Sequence, residues 1–259
     1  MNLLFIGDVF GKPGRNAVRN LLPGLRRELS CDFVIANGEN AASGAGITAS
    51  TAEELFSAGV DVLTGGNHTF DRREGLAVLD DDPRILRPFN YPPDAPGRGS
   101  GLYDCGPYRI GVLNLIGRVF LPATDCPFRA ADSVLEDLAG ATPIVVVDLH
   151  AEASSEKQGM AWYLDGRATL VVGTHTHVQT ADERILPRGT AAIGDVGMTG
   201  PHDSIIGVRK ELALHRLRTQ MPVRFQPAEE DVRLHAVVVR IDPESGRALE
   251  IRRIQRNLE

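Results

Sequence analysis

The feature that most constrains this chain is a series of short, continuous apolar runs, many of them stopped by a glycine or a polar residue. They occupy residues 3–6, 33–36, 60–63, 110–115, 144–149, 170–172, 191–193 and 234–241. Runs that are apolar at every position, rather than at every second one, suit strands covered on both faces. The last run alternates in part and reads as an edge or antiparallel strand. Behind Pro13, residues Val18, Leu21, Leu22, Leu25 and Leu29 recur at helical spacing. Proline suits a first helical turn, whereas Pro23 within the stretch predicts a kink or break. Thr51-Ala52-Glu53-Glu54 reads as a capping box ahead of Leu55 and Phe56. Asp203 or Ser204 is the expected cap of a later helix through Leu212, Leu214 and Leu217. Strand–helix alternation of this kind predicts an α/β layered fold with a largely parallel sheet.

A length of 259 residues allows one or two domains. No internal repeat is visible, and the Pro- and Gly-rich residues 83–101 read as a surface loop, so one domain over 1–259 is expected. A chain with 42% hydrophobic and 24% charged residues is not disordered, collagenous or a coiled coil. With 28 basic against 34 acidic residues it lacks the basic excess of a duplex nucleic-acid binder. Cys31, Cys105 and Cys126 are too widely spaced for a disulfide framework or a cysteine zinc site and read as reduced thiols. The apolar opening is cut by Gly7-Asp8 without a basic segment before it, unlike a signal peptide. No window reaches the roughly 18 apolar residues of a membrane helix. A soluble cytoplasmic protein without a membrane partner is expected.

Function is written just past the strands. Residues 3–6 lead to Gly7-Asp8, and 33–36 to Asn37-Gly38-Glu39-Asn40. Residues 60–63 lead to Gly66-Asn67-His68, 144–149 to His150, and 170–172 to Gly173-Thr174-His175-Thr176-His177. In a parallel sheet such ends share one edge, where open α/β folds bind ligands. Asp8, Glu39, Asn40, Asn67, His150, His175 and His177 make a mixed oxygen and nitrogen donor set without thiolate, suited to Mn, Fe, Zn, Ni or Co. The set is too large for one tetrahedral ion and fits two bridged ions. Ions about 3.5–4 Å apart are the usual arrangement for hydrolysing phosphate esters, where they activate a water and neutralise phosphoryl oxygens. His215 and His235 read as surface histidines or as core histidines with their hydrogen bonds satisfied.

These motifs resemble the calcineurin-like metallophosphoesterases. Their order is Gly7-Asp8-Val9-Phe10, Asn37-Gly38-Glu39-Asn40, Gly66-Asn67-His68, Asp148-Leu149-His150 and Gly173-Thr174-His175-Thr176-His177, over residues 1 to about 200. Two departures, Phe10 in place of the usual histidine and Glu39 in place of the usual bridging aspartate, are similar to the YmdB-like branch. So are His150-Ala151-Glu152-Ala153-Ser154-Ser155-Glu156-Lys157 and the segment from Thr174 to Asp182. The resemblance implies a layered β-sandwich flanked by helices, with a ligand core in 1–200 and a C-terminal helix and strands in 201–259. It implies a cytoplasmic, homo-oligomeric (dimeric or tetrameric) phosphodiesterase acting on 2′,3′- or 3′,5′-cyclic nucleotides with two transition-metal ions, iron first, manganese or zinc next. Carried over, Asp8, Asn40 and His177 hold one ion, Asn67, His150 and His175 the other, and Glu39 bridges. His68 becomes the general acid for the leaving alkoxide.

Two other readings stay open on the residues alone: a phosphomonoesterase or phosphoprotein phosphatase with the same metals, and a metal- and nucleotide-binding regulatory module of little turnover. Lys12 and Arg15 lie near Asp8 and are candidates for phosphate contact or for solvation. Asn114 is a candidate to orient a ligand. Glu152, Glu156 and Lys157 are candidates for support or interface roles, and the Gly194–Gly200 turn, with Asp195, for a cleft wall or subunit contact.

Overall fold

The computed structural model describes residues 1–259, apart from the side chain of Ala139. The chain begins with β1 (Asn2–Ile6), β2 (Asp8–Val9), α1 (Gly11–Glu28), β3 (Phe33–Asn37), α2 (Ala49–Ser57), β4 (Val62–Thr64) and α3 (Leu76–Asp81). It continues through β5 (Ser100–Cys105), β6 (Tyr108–Ile116), α4 (Pro127–Ala139), β7 (Val145–His150), α5 (Ser154–Tyr163) and β8 (Leu170–Thr174). It ends with β9 (Arg184–Ile185), β10 (Ala191–Ile193), β11 (Met198–Pro201), α6 (Lys210–Thr219), β12 (Val232–Ile241) and β13 (Ala248–Asn257).

There are two sheets where the apolar runs suggested one. The first is ordered β2-β11-β12-β1-β3-β4, with β13 beside β12; the second is β5-β6-β7-β8-β10-β9. The second has a parallel centre, β6-β7-β8-β10, between antiparallel edge strands β5 and β9; in the first, β1-β3-β4 run parallel out to one edge, β2 and β11 pair in parallel at the other, and β12 between them is antiparallel to its neighbours. β12 is antiparallel, as its alternation suggested, but it is no edge: it pairs with β1, β11 and β13.

The continuous runs follow from the layering. Leu3, Phe5, Phe33 and Ile35 face inward against Ile110, Val112, Val146 and Val172 of the other sheet. Their neighbours Leu4, Ile6, Val34 and Ala36 face outward beneath Val18, Leu22 and Leu25 of α1. On the far side Val145, Val147 and Val171 meet Val134 and Leu135 of α4 and Met160 of α5. Both faces of each central strand are apolar because both are covered.

Three local expectations change. α1 continues through Pro23, which lies on the exposed face, where water can meet the carbonyl it leaves unbonded. The cap of α2 is Thr48, three residues earlier than expected. Its hydroxyl accepts from Thr51 N while Thr51 Oγ1 accepts from Thr48 N, so Thr51 is the far side of the box. α6 begins at Lys210 without a side-chain cap, because Asp203 is engaged by Lys210 Nζ and Ser204 Oγ donates to Pro201 O. The three cysteines are free, and among the described residues no helix is long and apolar enough to cross a membrane.

Candidate metal centre

The carboxyl ends of β1, β3 and β4 from one sheet and of β7 and β8 from the other open on the same edge of the sandwich. All seven expected donors are brought to that edge, from strands that are not all in one sheet. His150 is its hub. Its fully buried Nε2 lies 3.0 Å from Asn67 Oδ1, 3.0 Å from His175 Nδ1 and 3.2 Å from Glu39 Oε1. Donors about 2.1 Å from one ion sit about 3 Å apart when they subtend a right angle, so this spacing fits a shared cation. Glu39, His150 and His175 alone already have ligand atoms within 4.8 Å of one another.

Asp8 completes the second half. Its Oδ2 accepts from His175 N at 3.2 Å, whereas its buried Oδ1 has no hydrogen-bond partner. His177 Nε2 is 3.9 Å from that oxygen. His177 donates Nδ1–H to Ile206 O at 2.9 Å, which leaves Nε2 as the lone-pair nitrogen facing the site. Asn40 turns Nδ2 toward Glu39 Oε1 (3.1 Å) and His177 Nε2 (3.2 Å). To act as a ligand its amide would have to present Oδ1.

The charges fit a cation. Burial pushes the Asp8 carboxyl well above the usual range, only partly offset by His150. Burial also works against the Glu39 charge, but His150 outweighs it and holds Glu39 down at about 2. Burial would depress His150; Glu39, Asp8 and Asp148 instead lift it to about 9. Burial, then the charge of His150, depresses His175 to about 4, and burial lowers His177. Ionised Glu39 and neutral His175 therefore lie around His150, and neutral His177 lies beside the orphan Oδ1 of Asp8. A cation there would displace the His150 proton, since imidazolium cannot ligate.

The family model for YmdB-like proteins matches residues 4–254. The chain belongs to this YmdB-like family. It is 48% identical over 254 residues to a 2′,3′-cyclic-nucleotide 2′-phosphodiesterase of Bacillus subtilis, covering 98% of this chain and 96% of that one. A crystal structure from Thermus thermophilus of a protein without assigned function superposes with a TM-score of 0.94 at 44% identity, covering 99% of both chains. A Mycoplasma pneumoniae phosphatase structure superposes at 0.93 and 33% identity, covering 99% of this chain and 93% of that one. The fold of this YmdB-like chain is thus the layered α/β fold of metallophosphoesterases, as its motifs implied.

Around the donors of this YmdB-like site lies a buried polar layer that sequence reasoning left without a role. Thr174 Oγ1 lies between His150 Nδ1 (2.9 Å) and Asp148 Oδ1 (2.8 Å), while Thr64 and Asn37 donate to Asp148 Oδ2. The available signal was a polar residue inside apolar β7 (Asp148) and polar last residues of β3, β4 and β8 (Asn37, Thr64 and Thr174). Asn114 accepts from Gly65 N at 2.9 Å and donates to Gly65 O, fixing the turn that carries Asn67. Gly66 must be glycine: a Cβ there would collide with Glu39 Oε2 and the His150 ring.

The remaining candidates separate cleanly. Asp195 Oδ2 accepts from Thr176 N, Thr176 Oγ1 and Lys157 Nζ, so it holds the turn between His175 and His177. Glu152 Oε2 lies 3.1 Å from His175 Nε2. Glu156 accepts from the backbone N–H groups of Arg118 and Val119, away from the donors. Arg15 binds Glu54 and Ala41 O, which commits it to packing, and Lys12 is exposed. His68 stands beside the donors: its N–H donates to Glu39 Oε2 at 2.9 Å, and its half-exposed ring pairs with Asp71 at 2.7 Å. His215 is exposed, as expected, whereas His235 is buried with no hydrogen-bond partner on either ring nitrogen and so is not the satisfied core histidine expected.

Proposed function

We propose that this chain is a metal-dependent phosphodiesterase that hydrolyses cyclic nucleotides, 2′,3′-cyclic monophosphates foremost and 3′,5′-cyclic ones as a further substrate. The observation that carries the reading is the His150 hub, with three other donors at 3.0–3.2 Å from one nitrogen, beside the orphan Oδ1 of Asp8. The named activity of the Bacillus subtilis relative supports it.

In this reading Asp8, Asn40 and His177 hold one transition-metal ion, Asn67, His150 and His175 the other, and Glu39 serves both. Iron is the first candidate, with manganese and zinc behind it. Bound ions supply Lewis acidity at the phosphoryl oxygens and lower the pKa of a water nucleophile. The chain's own part is to hold neutral imidazoles, the ionised Glu39 and the unpaired Asp8 oxygen in place beforehand. His175 and His177 are kept neutral by burial, and Glu39 is kept ionised by His150. His68 supplies the leaving-group proton, with Asp71 on Nδ1 orienting the ring and leaving Nε2 free to give the proton. Because both sheets contribute donors, residues 1–259 work as one unit.

Metal analysis of protein purified without chelator, together with hydrolysis of 2′,3′-cyclic AMP, 3′,5′-cyclic AMP and 5′-AMP, tests this reading. Metal-dependent release from the cyclic diesters is expected. Turnover confined to 5′-AMP would replace it with a phosphomonoesterase, and metal without turnover would replace it with a binding module.

A further inference from the structure

Beside the donors lies a cleft of about 410 Å³, within the size range of ligand pockets, roughly 300–1,000 Å³. One wall is the donor cluster with His68; the other is apolar, formed by Phe10, Ile206, Val208, Phe225 and Pro227. We propose that Phe225 and Ile206, with Phe10 behind them, form a subsite for the nucleobase, an inference that rests on the phosphodiesterase reading above.

The apolar wall is built rather than incidental. Ile206 has φ +48°, a left-handed conformation that β-branched residues rarely adopt. The turn is pinned by the Ile205–Val208 bridge and by Ser204 Oγ accepting from Gly207 N at 2.8 Å. The same strained residue gives its carbonyl to His177, so a donor of the cluster and the apolar wall are set by one turn. The Ile206 side chain is 57% exposed, and Phe225 on the same wall is 49% exposed. Phe10 stands edge-on to His177, ring centroids 5.6 Å apart. Its ring fits because Gly44 and Gly207, both at positive φ, carry no Cβ that would strike it. The residue that departs from the usual histidine thus contributes hydrocarbon surface next to the metal donors.

A phosphodiester held by the donors must place its remaining atoms nearby, and this wall offers a flat apolar group a surface to stack on. Stacking accepts every base, because every base has a π-face, so the subsite recognises nucleotides as a class rather than one base.

The test compares kcat/KM of the metal-loaded full chain for 2′,3′-cyclic AMP with that for glycerol 1,2-cyclic phosphate, a five-membered cyclic diester without a base. Phe225→Ala and Ile206→Ala should each lower the ratio of the two values by about tenfold, mainly through KM for cyclic AMP, and Phe225→Trp should restore it. An unchanged ratio, or equal losses on both substrates, would overturn the subsite. If the unsubstituted protein hydrolyses neither diester, the phosphodiesterase reading falls instead. The subsite then stands on calorimetric binding of 2′,3′-cyclic AMP, which Phe225→Ala should weaken about tenfold; equal affinity or no binding overturns it.

Discussion

Thr174 donates its hydroxyl to Asp148 Oδ1 at 2.8 Å. The hydroxyl oxygen in turn accepts from His150 Nδ1 at 2.9 Å, which turns Nε2 of that ring toward Asn67, Glu39 and His175. Partners that orient a metal-binding imidazole typically cost 10–100-fold in affinity or activity when removed. Thr174→Val keeps the shape of the side chain and deletes both bonds. Chelator competition should reveal metal affinity weakened by about tenfold or more, and Thr174→Ser should recover most of it. Equal affinity in all three proteins would show that Asp148 and Thr174 serve packing alone.

The contrast between Asp8 and Asp148 marks what the sequence made legible. Asp8, Glu39, Asn67 and the three histidines at positions 150, 175 and 177 stand out because each ends an apolar run, and polarity at a strand end reads as chemistry. Asp148 sits inside β7, where neighbouring Val and Leu mask it, and Thr174 closes β8 between Gly173 and His175, where the histidine draws the eye instead. The layering was legible in Leu3–Ile6, apolar on both faces, but one helix-covered sheet and two stacked sheets produce the same pattern. β13 left no apolar run to find, because Glu250, Arg252, Arg253 and Arg256 interrupt its Leu and Ile residues. Ile206 and Phe225 come from irregular segments after residue 200 that no periodicity connects to the strands.

Lys157 and Asp195 form a buried ion pair at 2.6 Å, and Asp195 also takes both donors of Thr176. Removing one partner of such a pair leaves a buried charge, at a cost of about 3–5 kcal/mol. Lys157→Met should lower the melting temperature clearly and reduce metal occupancy, because the turn bearing His175 and His177 loses its anchor. Scanning calorimetry with metal analysis reads both. A stable variant with full metal content would contradict this account.

His68 has its N–H on Glu39 and its ring on Asp71, so the ring is beside the donors without belonging to them. His68→Ala should therefore bind metal normally and lose about 10²–10⁴-fold in kcat for cyclic nucleotides, whose alkoxide needs a proton. The loss should be much smaller for bis-p-nitrophenyl phosphate, whose phenolate leaves unassisted. Equal losses on the two substrates would remove His68 as the acid.

Glu39 Oε1 faces His150 and Oε2 accepts the His68 N–H, so its two oxygens serve different neighbours. Gly66→Ala would push a Cβ into both Glu39 and His150. Metal content and turnover should fall together, with little change in far-UV circular dichroism because the affected turn lies outside the strands. Normal metal binding would mean that the site relaxes more than the close contacts allow.

His235 is 5% exposed, and neither ring nitrogen has a hydrogen-bond partner. Burial, then the nearby His202 and Arg233, depresses it to about 4, against about 6.5 for a free imidazole. As pH falls, the unfolded chain therefore takes up this proton first. The stability linked to a neutral His235 is complete above about pH 6.5 and drains away toward pH 4. His235→Leu removes the titration while keeping an apolar side chain in the same place. With metal saturating in both proteins, the fall in melting temperature from about pH 7.5 to pH 5 should be smaller in the variant, by about 2–4 °C for each kcal/mol of linkage removed. Identical falls would mean that His235 gains a proton as easily folded as unfolded, and that the ring is not held neutral by its burial.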